Sequence, residues 1–219
     1  MNRTINPGED YRAQAREFCR ENPQTAFLLQ RLKAHDRLVY EHSLRSAFFS
    51  LMLARGLGLP KPEQDLVYRS ALLMDYGKLL LAPARSGQPK DGAATVLDHP
   101  LLTVGALASL IEQGLIDREA ILAHHENLDG TGYPYGLVWE DITLHARILR
   151  VADGFASMTV ADTRNGKMTG TAEALGELYR WSDIQYDEDL VELLCRYYPD
   201  HVGKREEPVK AQVIKLINH

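Results

Sequence analysis

The sequence predicts an all-α fold: a helical bundle with a short N-terminal helical extension. Three observations predict it. Apolar residues recur at intervals of three and four along most of the 219 residues. No sustained alternation of apolar and polar residues competes with that period, and Gly and Pro gather between the periodic stretches.

Taken in order, helices are expected over about 9–20, 24–35 and 37–57, the last closed by Gly56 and Gly58 ahead of Pro60. The next, about 63–75, turns Leu66, Val67, Ser70, Ala71 and Leu73 inward and ends near Asp75. Pro83, Gly87, Pro89, Asp91 and Gly92 make 83–92 a loop. Helices follow at about 93–113 and 117–127, then a Gly- and Pro-punctuated loop at 128–137 and a long apolar helix at about 141–160. Segments near 171–181, 187–198 and 207–217 complete the helical pattern. Residues 1–35 carry no site chemistry and are read as the extension, with 36–219 as the main domain. The extension is open to three roles: a helical cap, an element of a homodimer, or the remnant of a sensory segment.

With 45% hydrophobic and 25% charged residues the chain can bury a real core. A net charge of -5 gives no broad electrostatic footprint for duplex nucleic acid, although local basic groups can still serve a small anion. Cys19 and Cys195 stand far apart and outside any C-x-x-C spacing, which argues against a disulfide or thiolate-zinc framework and suits a reducing compartment. The N-terminus has no apolar h-region, and no apolar run approaches the roughly 20 residues that span a bilayer, so a soluble, cytoplasmic protein without a membrane span is expected.

Eight histidines raise the question of which converge with carboxylates. His124 and His125 are adjacent, about 100° apart on one helix, so both reach one ion only near a helix end. The loop after them supplies such an end. Asp75 closes an apolar helix, where an unpaired carboxylate is costly. His42 lies in a helix whose buried stripe is Leu44, Ala47, Phe48 and Leu51; His99 precedes Pro100; Asp153 interrupts the apolar run after Arg147. Singly, each has an ordinary role: a satisfied core histidine, a capping residue, the partner of a buried arginine.

Together they match one pattern. From His124 to Pro134 the chain carries H-H-E-x-x-D-G-x-G-Y-P without a break, supported by Glu41-His42-Ser43-Leu44-Arg45, Asp98-His99-Pro100 and the stretch Arg147 to Asp153. On these residues, from about Tyr40 to Leu194, the chain resembles the HD-GYP proteins, a branch of the HD-domain metal phosphohydrolases. The resemblance implies an HD-domain-like helical bundle that binds two or three metal ions, usually iron or manganese, and hydrolyses cyclic di-GMP. By motif, one ion takes His42, Asp75 as a bridge, and Asp153; the other takes Asp75, His99, His124 and His125. Zinc is also compatible with imidazole and carboxylate donors. Water activated between paired ions attacks phosphorus in line, with Asp75 and Lys78 as the catalytic pair and Lys78 beside a phosphate oxygen. The same carry-over makes Glu126 an orienter of a ligand histidine and gives Tyr133 and Arg164 to substrate.

The pattern departs from the family in four places. The HD pair reads Met74-Asp75, which leaves the first metal position His42, Asp75 and Asp153 alone and offers a thioether that suits Cu(I) far better than iron or manganese. The glutamate that supplies a third metal is replaced by Leu38. A K-x-G-x-L signature between Asp75 and His99 is missing, with Arg85, Gln88 and Lys90 as the nearest substitutes. The usual R-P-Y reads Arg164-Asn165-Gly166. Two functions are therefore expected in competition: a phosphodiesterase with one strongly held ion, or an inactive module that binds a nucleotide or a signalling partner such as a diguanylate cyclase. Hydrolysis of another phosphoester ranks third.

Overall fold

Short polar side chains and prolines start most of the helices. Asp10 caps α1 (Tyr11–Glu21) by accepting the Arg12 N–H. Asn22 closes that helix, and Pro23 opens α2 (Pro23–His35) at a position where a helix leaves its N–H unpaired in any case. Asp36 caps α3 (Arg37–Gly56) through the N–H groups of Leu38 and Val39, a contact that typically contributes about 1 kcal/mol. α4 (Lys61–Leu73) starts two residues earlier than the periodicity suggests, because Pro62 is tolerated in its first turn.

The computed structural model describes residues 10–81, 95–159 and 170–201, with Val209. After α4, Met74 and Asp75 lead into a 3-10 turn, Tyr76–Leu80. Then come a second 3-10 turn (Val96–Asp98), α5 (His99–Ala106), α6 (Ala108–Glu112) and α7 (Arg118–Ala123). A third 3-10 turn (Trp139–Asp141) precedes α8 (Leu144–Met158), α9 (Thr171–Arg180), α10 (Glu188–Arg196) and a last 3-10 turn (Pro199–His201). The all-helical expectation agrees with this; among the described residues the β-type pairings are two isolated bridges.

Beyond such shifts of a few residues, two segments differ in their course. The single helix expected over 93–113 is broken, in its described part, into a 3-10 turn and two α-helices. Pro100 can neither donate a hydrogen bond nor fit against the carbonyl four residues back, so the α-helix restarts at His99, and the chain breaks again at Leu107 with φ -111 and ψ 18. The helix expected over 117–127 ends at Ala123. The loop expected at 83–92 and the helix at 207–217 lie outside the described residues, Val209 excepted.

α3 is the axis of the bundle. Ser43, Ser46, Ala47, Ser50 and Ala54 are all buried on it, and side chains this small let α4 and α8 approach closely. Leu29 and Leu32 of α2, Tyr68 of α4, Ile121 of α7 and Phe155 of α8 fill the same apolar core. A smaller cluster, Ala123, Leu128, Ile142 and Ala146, seats the 128–137 loop between α7 and α8. No helix of the described residues is long and apolar enough to cross a membrane. The consequence for the site is that the end of α4, the start of α5 and the end of α7 meet beside α3 and α8.

Candidate metal centre

Four of the candidate side chains stand at or near a helix end, whereas His42 and Asp153 lie within α3 and α8. Asp75 is the second residue past the end of α4, His99 is the first residue of α5, and His124 and His125 follow the last residue of α7. Stopping α7 at Ala123 frees two adjacent imidazoles from the 100° divergence of a regular helix and lets them reach one place. One donor atom from each of Asp75, His99, His124 and His125 lies within 4.8 Å of the others.

The ring orientations are set by backbone carbonyls. His99 Nδ1 stands 2.6 Å from Val96 O, and His124 Nδ1 stands 2.6 Å from Ile121 O. A carbonyl can only accept, so both Nδ1 atoms carry the hydrogen, and in the neutral form of an imidazole so held Nε2 presents a lone pair. Those two Nε2 atoms face each other at 3.2 Å, with His99 Nε2 3.1 Å from Asp75 Oδ1. Neither buried oxygen of Asp75 accepts a well-directed hydrogen bond. Converging lone pairs on imidazole and carboxylate, sealed from water, are satisfied by a cation, and this donor set fits a divalent metal ion.

The electrostatics agree. Burial pushes the His124 pKa down to about 4, and burial followed by the neighbouring His124 pushes His125 down to about 2, so both rings are neutral donors near neutral pH. Burial opposes ionisation of Asp75, yet the Lys78 charge and the surrounding histidines hold its carboxyl well below the usual carboxylate range. Lys78 Nζ is 2.9 Å from Asp75 Oδ1.

His42 and Asp153 close on each other beside this cluster. His42 Nε2 is 2.7 Å from Asp153 Oδ1 and 4.0 Å from Asp75 Oδ2, and His125 Nδ1 is 3.9 Å from Asp153 Oδ2. Burial works against the charged form of the His42 ring, but the Asp153 hydrogen bond together with the charges of Asp153 and Asp75 outweighs it and raises the pKa. Met74, where the motif has histidine, is fully buried and belongs to the main apolar core. Arg164 lies outside the described residues.

Glu126, expected to orient a ligand histidine, does something else. Its two oxygens accept the N–H groups of Tyr135 (2.7 Å) and Leu137 (3.1 Å), so its buried charge is spent on the loop backbone. The loop thus held returns over the site: Tyr133 N–H donates to His125 O at 3.2 Å, and the Tyr133 ring stacks on the His125 ring. Two further residues matter that pattern reading passes over. Thr103 accepts the Gly77 N–H at 2.8 Å and has its hydroxyl 2.8 Å from both Met74 O and His99 O, which ties the Asp75 turn to α5. Arg150 donates to Asn127 Oδ1 at 2.8 Å and lies over the Tyr186 ring. A threonine in an apolar helix and an arginine on a mixed face carry no sequence signal for these roles.

Comparison with known proteins agrees with the geometry. The HD domain family matches residues 27–190 of the chain. A cyclic di-GMP phosphodiesterase of Pseudomonas aeruginosa is 33% identical over 167 residues, covering 74% of this chain and 40% of that protein. A 3'3'-cGAMP-specific phosphodiesterase of Vibrio cholerae is 37% identical over 122 residues, covering 54% and 26%. The chain therefore spans less than half the length of these relatives. Among solved structures, an HDG"Y"P protein of Bdellovibrio bacteriovorus superposes with a TM-score of 0.53 at 23% identity over 72% of this chain and 51% of that one. The unbroken 124–134 string, the clustered histidines and the match over residues 27–190 place the chain in the HD-domain family, in its HD-GYP branch.

Proposed function

We propose that this chain is a metal-dependent phosphodiesterase domain for cyclic dinucleotides of the cyclic di-GMP class, built round one well-furnished metal position. The observation that carries the reading is the convergence of Asp75, His99, His124 and His125 within 4.8 Å. Such donors suit iron or manganese, with zinc as the further candidate. A divalent ion held there supplies a Lewis acid that polarises a phosphoryl oxygen and activates water. The relatives' own names, as cyclic di-GMP and 3'3'-cGAMP phosphodiesterases, support the substrate class.

The chain's own groups act around that position. Lys78 brings a positive charge beside Asp75 for a phosphate oxygen. Tyr133, over His125, offers a ring and a hydroxyl to the nucleotide, and Arg164 is a second candidate for a phosphate. The first metal position retains His42, Asp75 and Asp153 and binds an ion weakly or only with substrate, because Met74 offers an apolar thioether in the core instead of an imidazole.

A second reading keeps the fold and the ion but no turnover: a module that binds a cyclic dinucleotide or a signalling protein such as a diguanylate cyclase. Met74 favours it, as does the apolar outer face of the loop, where Tyr135, Val138 and Trp139 are exposed. Metal analysis with a cyclic di-GMP hydrolysis assay in Mn²⁺ or Fe²⁺ separates the two. Hydrolysis that disappears with chelator supports the first reading. Bound metal without hydrolysis supports the second, and no bound metal overturns both.

A further inference from the structure

A second set of titratable groups lies at the other end of the helices that carry the metal centre. His145, in the first turn of α8, has Nδ1 2.7 Å from Asp117 Oδ2 and Nε2 3.6 Å from Glu63 Oε2. Asp117 is the N-cap of α7, where its other oxygen accepts the Ala120 N–H, and its own N–H donates to Ser70 of α4. Glu63 lies in the first turn of α4. One imidazole therefore joins the starts of three helices whose later residues supply the centre: α4 leads to Asp75, α7 to His124 and His125, and α8 to Asp153.

We propose that His145 is a positioning residue: by bridging Glu63 and Asp117 it locks the starts of α4, α7 and α8 together, and so sets the affinity of the centre for its divalent cation. The inference rests on the metal-centre reading above. At 1.5 Å of rise per residue the clamp stands roughly 10–18 Å from the ligands, close enough for three rigid helices to transmit an angular change at their starts. A helix that pivots there moves its ligand by a large part of an ångström, and residues that hold ligands in place typically change metal affinity by about 10–100-fold when lost.

The clamp depends on charge. The Asp117 hydrogen bond, against partial burial and with the charges of Asp117 and Glu63, raises the His145 pKa above its ordinary 6.5. Of the other charges on these helices, Lys61 pairs with Asp65, Arg118 with Glu119, and Arg147 with Asp187 and the Trp139 ring, while Arg69 donates to Leu115 O and Asn22 Oδ1 and Arg150 to Asn127 Oδ1. A raised pKa means that the clamp is complete below the unfolded value and is released as pH rises through the folded one.

The test is Mn²⁺ titration of the full chain by calorimetry across pH 5.5–8.5, comparing wild type with His145→Gln and His145→Lys. Glutamine keeps a hydrogen-bonding group but no charge; lysine keeps the charge throughout. The expected result is Mn²⁺ affinity about tenfold weaker in His145→Gln at low pH, with the ratio to wild type shrinking as pH rises, and restored in His145→Lys. Reading the ratio cancels the pH dependence of the ligands themselves. Should His145→Gln fail to fold, Glu63→Gln removes one arm and leaves the Asp117 bond. Folded variants with unchanged Mn²⁺ affinity overturn the clamp alone, whereas wild type that binds no Mn²⁺ overturns the metal-centre reading and the clamp with it.

Discussion

Tyr133 lies over the imidazole of His125, with ring centroids 4.7 Å apart and planes inclined by 26°. The stack joins the G-Y-P end of the motif to its His-His start and holds in place the half-buried ring of the pair. Replacing Tyr133 by Ala should weaken metal binding roughly fivefold, since an aromatic pair contributes about 1 kcal/mol. Tyr133→Phe keeps the stack, so its metal affinity should match wild type while any loss in cyclic di-GMP affinity isolates the hydroxyl. Calorimetry with Mn²⁺ and with the dinucleotide reads both; equal metal affinity in wild type and Tyr133→Ala removes the stack from the account.

Met74 occupies core space where a ligand would stand. Met74→His should raise bound metal from about one ion toward about two per chain, with a gain in phosphodiesterase activity. Elemental analysis and a hydrolysis assay check this. A variant that folds, stays at one ion and gains no activity shows that the missing ligand is not what limits the site.

His124 has its Nε2 3.2 Å from that of His99, with both rings pinned by carbonyls. His124→Ala should empty the four-residue cluster, read as loss of bound metal after dialysis. Metal content equal to wild type would mean that the ion sits elsewhere.

Gly77 and Gly132 are sites of close backbone approach. A Cβ at Gly77 would meet His99 O at 2.2 Å and Thr103 N at 2.6 Å; one at Gly132 would meet Asn127 N at 2.3 Å and Glu126 Cα at 2.4 Å. Backbone atoms cannot swing aside as side chains do, so Gly77→Ala and Gly132→Ala should each lose about 1–3 kcal/mol in urea unfolding. Gly77→Ala should also lower metal content, because the displaced atom belongs to a ligand residue.

The metal-free protein should lose stability on acidification. His124 takes its proton near 6.5 when unfolded but only at about 4 when folded, so between those values the unfolded state binds more protons and stability falls as pH falls. His125, lowered to about 2, acts in the same sense. For His124 the effect is of order 3 kcal/mol. The raised His42 and His145 oppose it, being most stabilising below 6.5. Urea unfolding in chelator at pH 7 and pH 5 should show the net loss, larger in His145→Gln; equal stabilities would contradict the burial of these rings.

The sequence alone determined the helical class, the order of the helices and the residue types of the candidate centre. These are local matters: apolar period, capping residues, prolines, and a motif in which adjacent histidines meet a glycine-rich loop. Glu126 shows the limit. Its place in the motif suggests a partner for histidine, yet the chain folds back and presents the N–H groups of Tyr135 and Leu137 to its carboxylate. Thr103 and His145 show it again, since one stitches the Asp75 turn to α5 and the other joins three helix starts, through partners 26 to 82 residues away. Only the tertiary structure decided which carbonyls hold the imidazoles and therefore which nitrogens face inward, because lone pairs converge through the angles at which α4, α5 and α7 end against one another. Those angles come from packing in the core, to which distant parts of the chain contribute together.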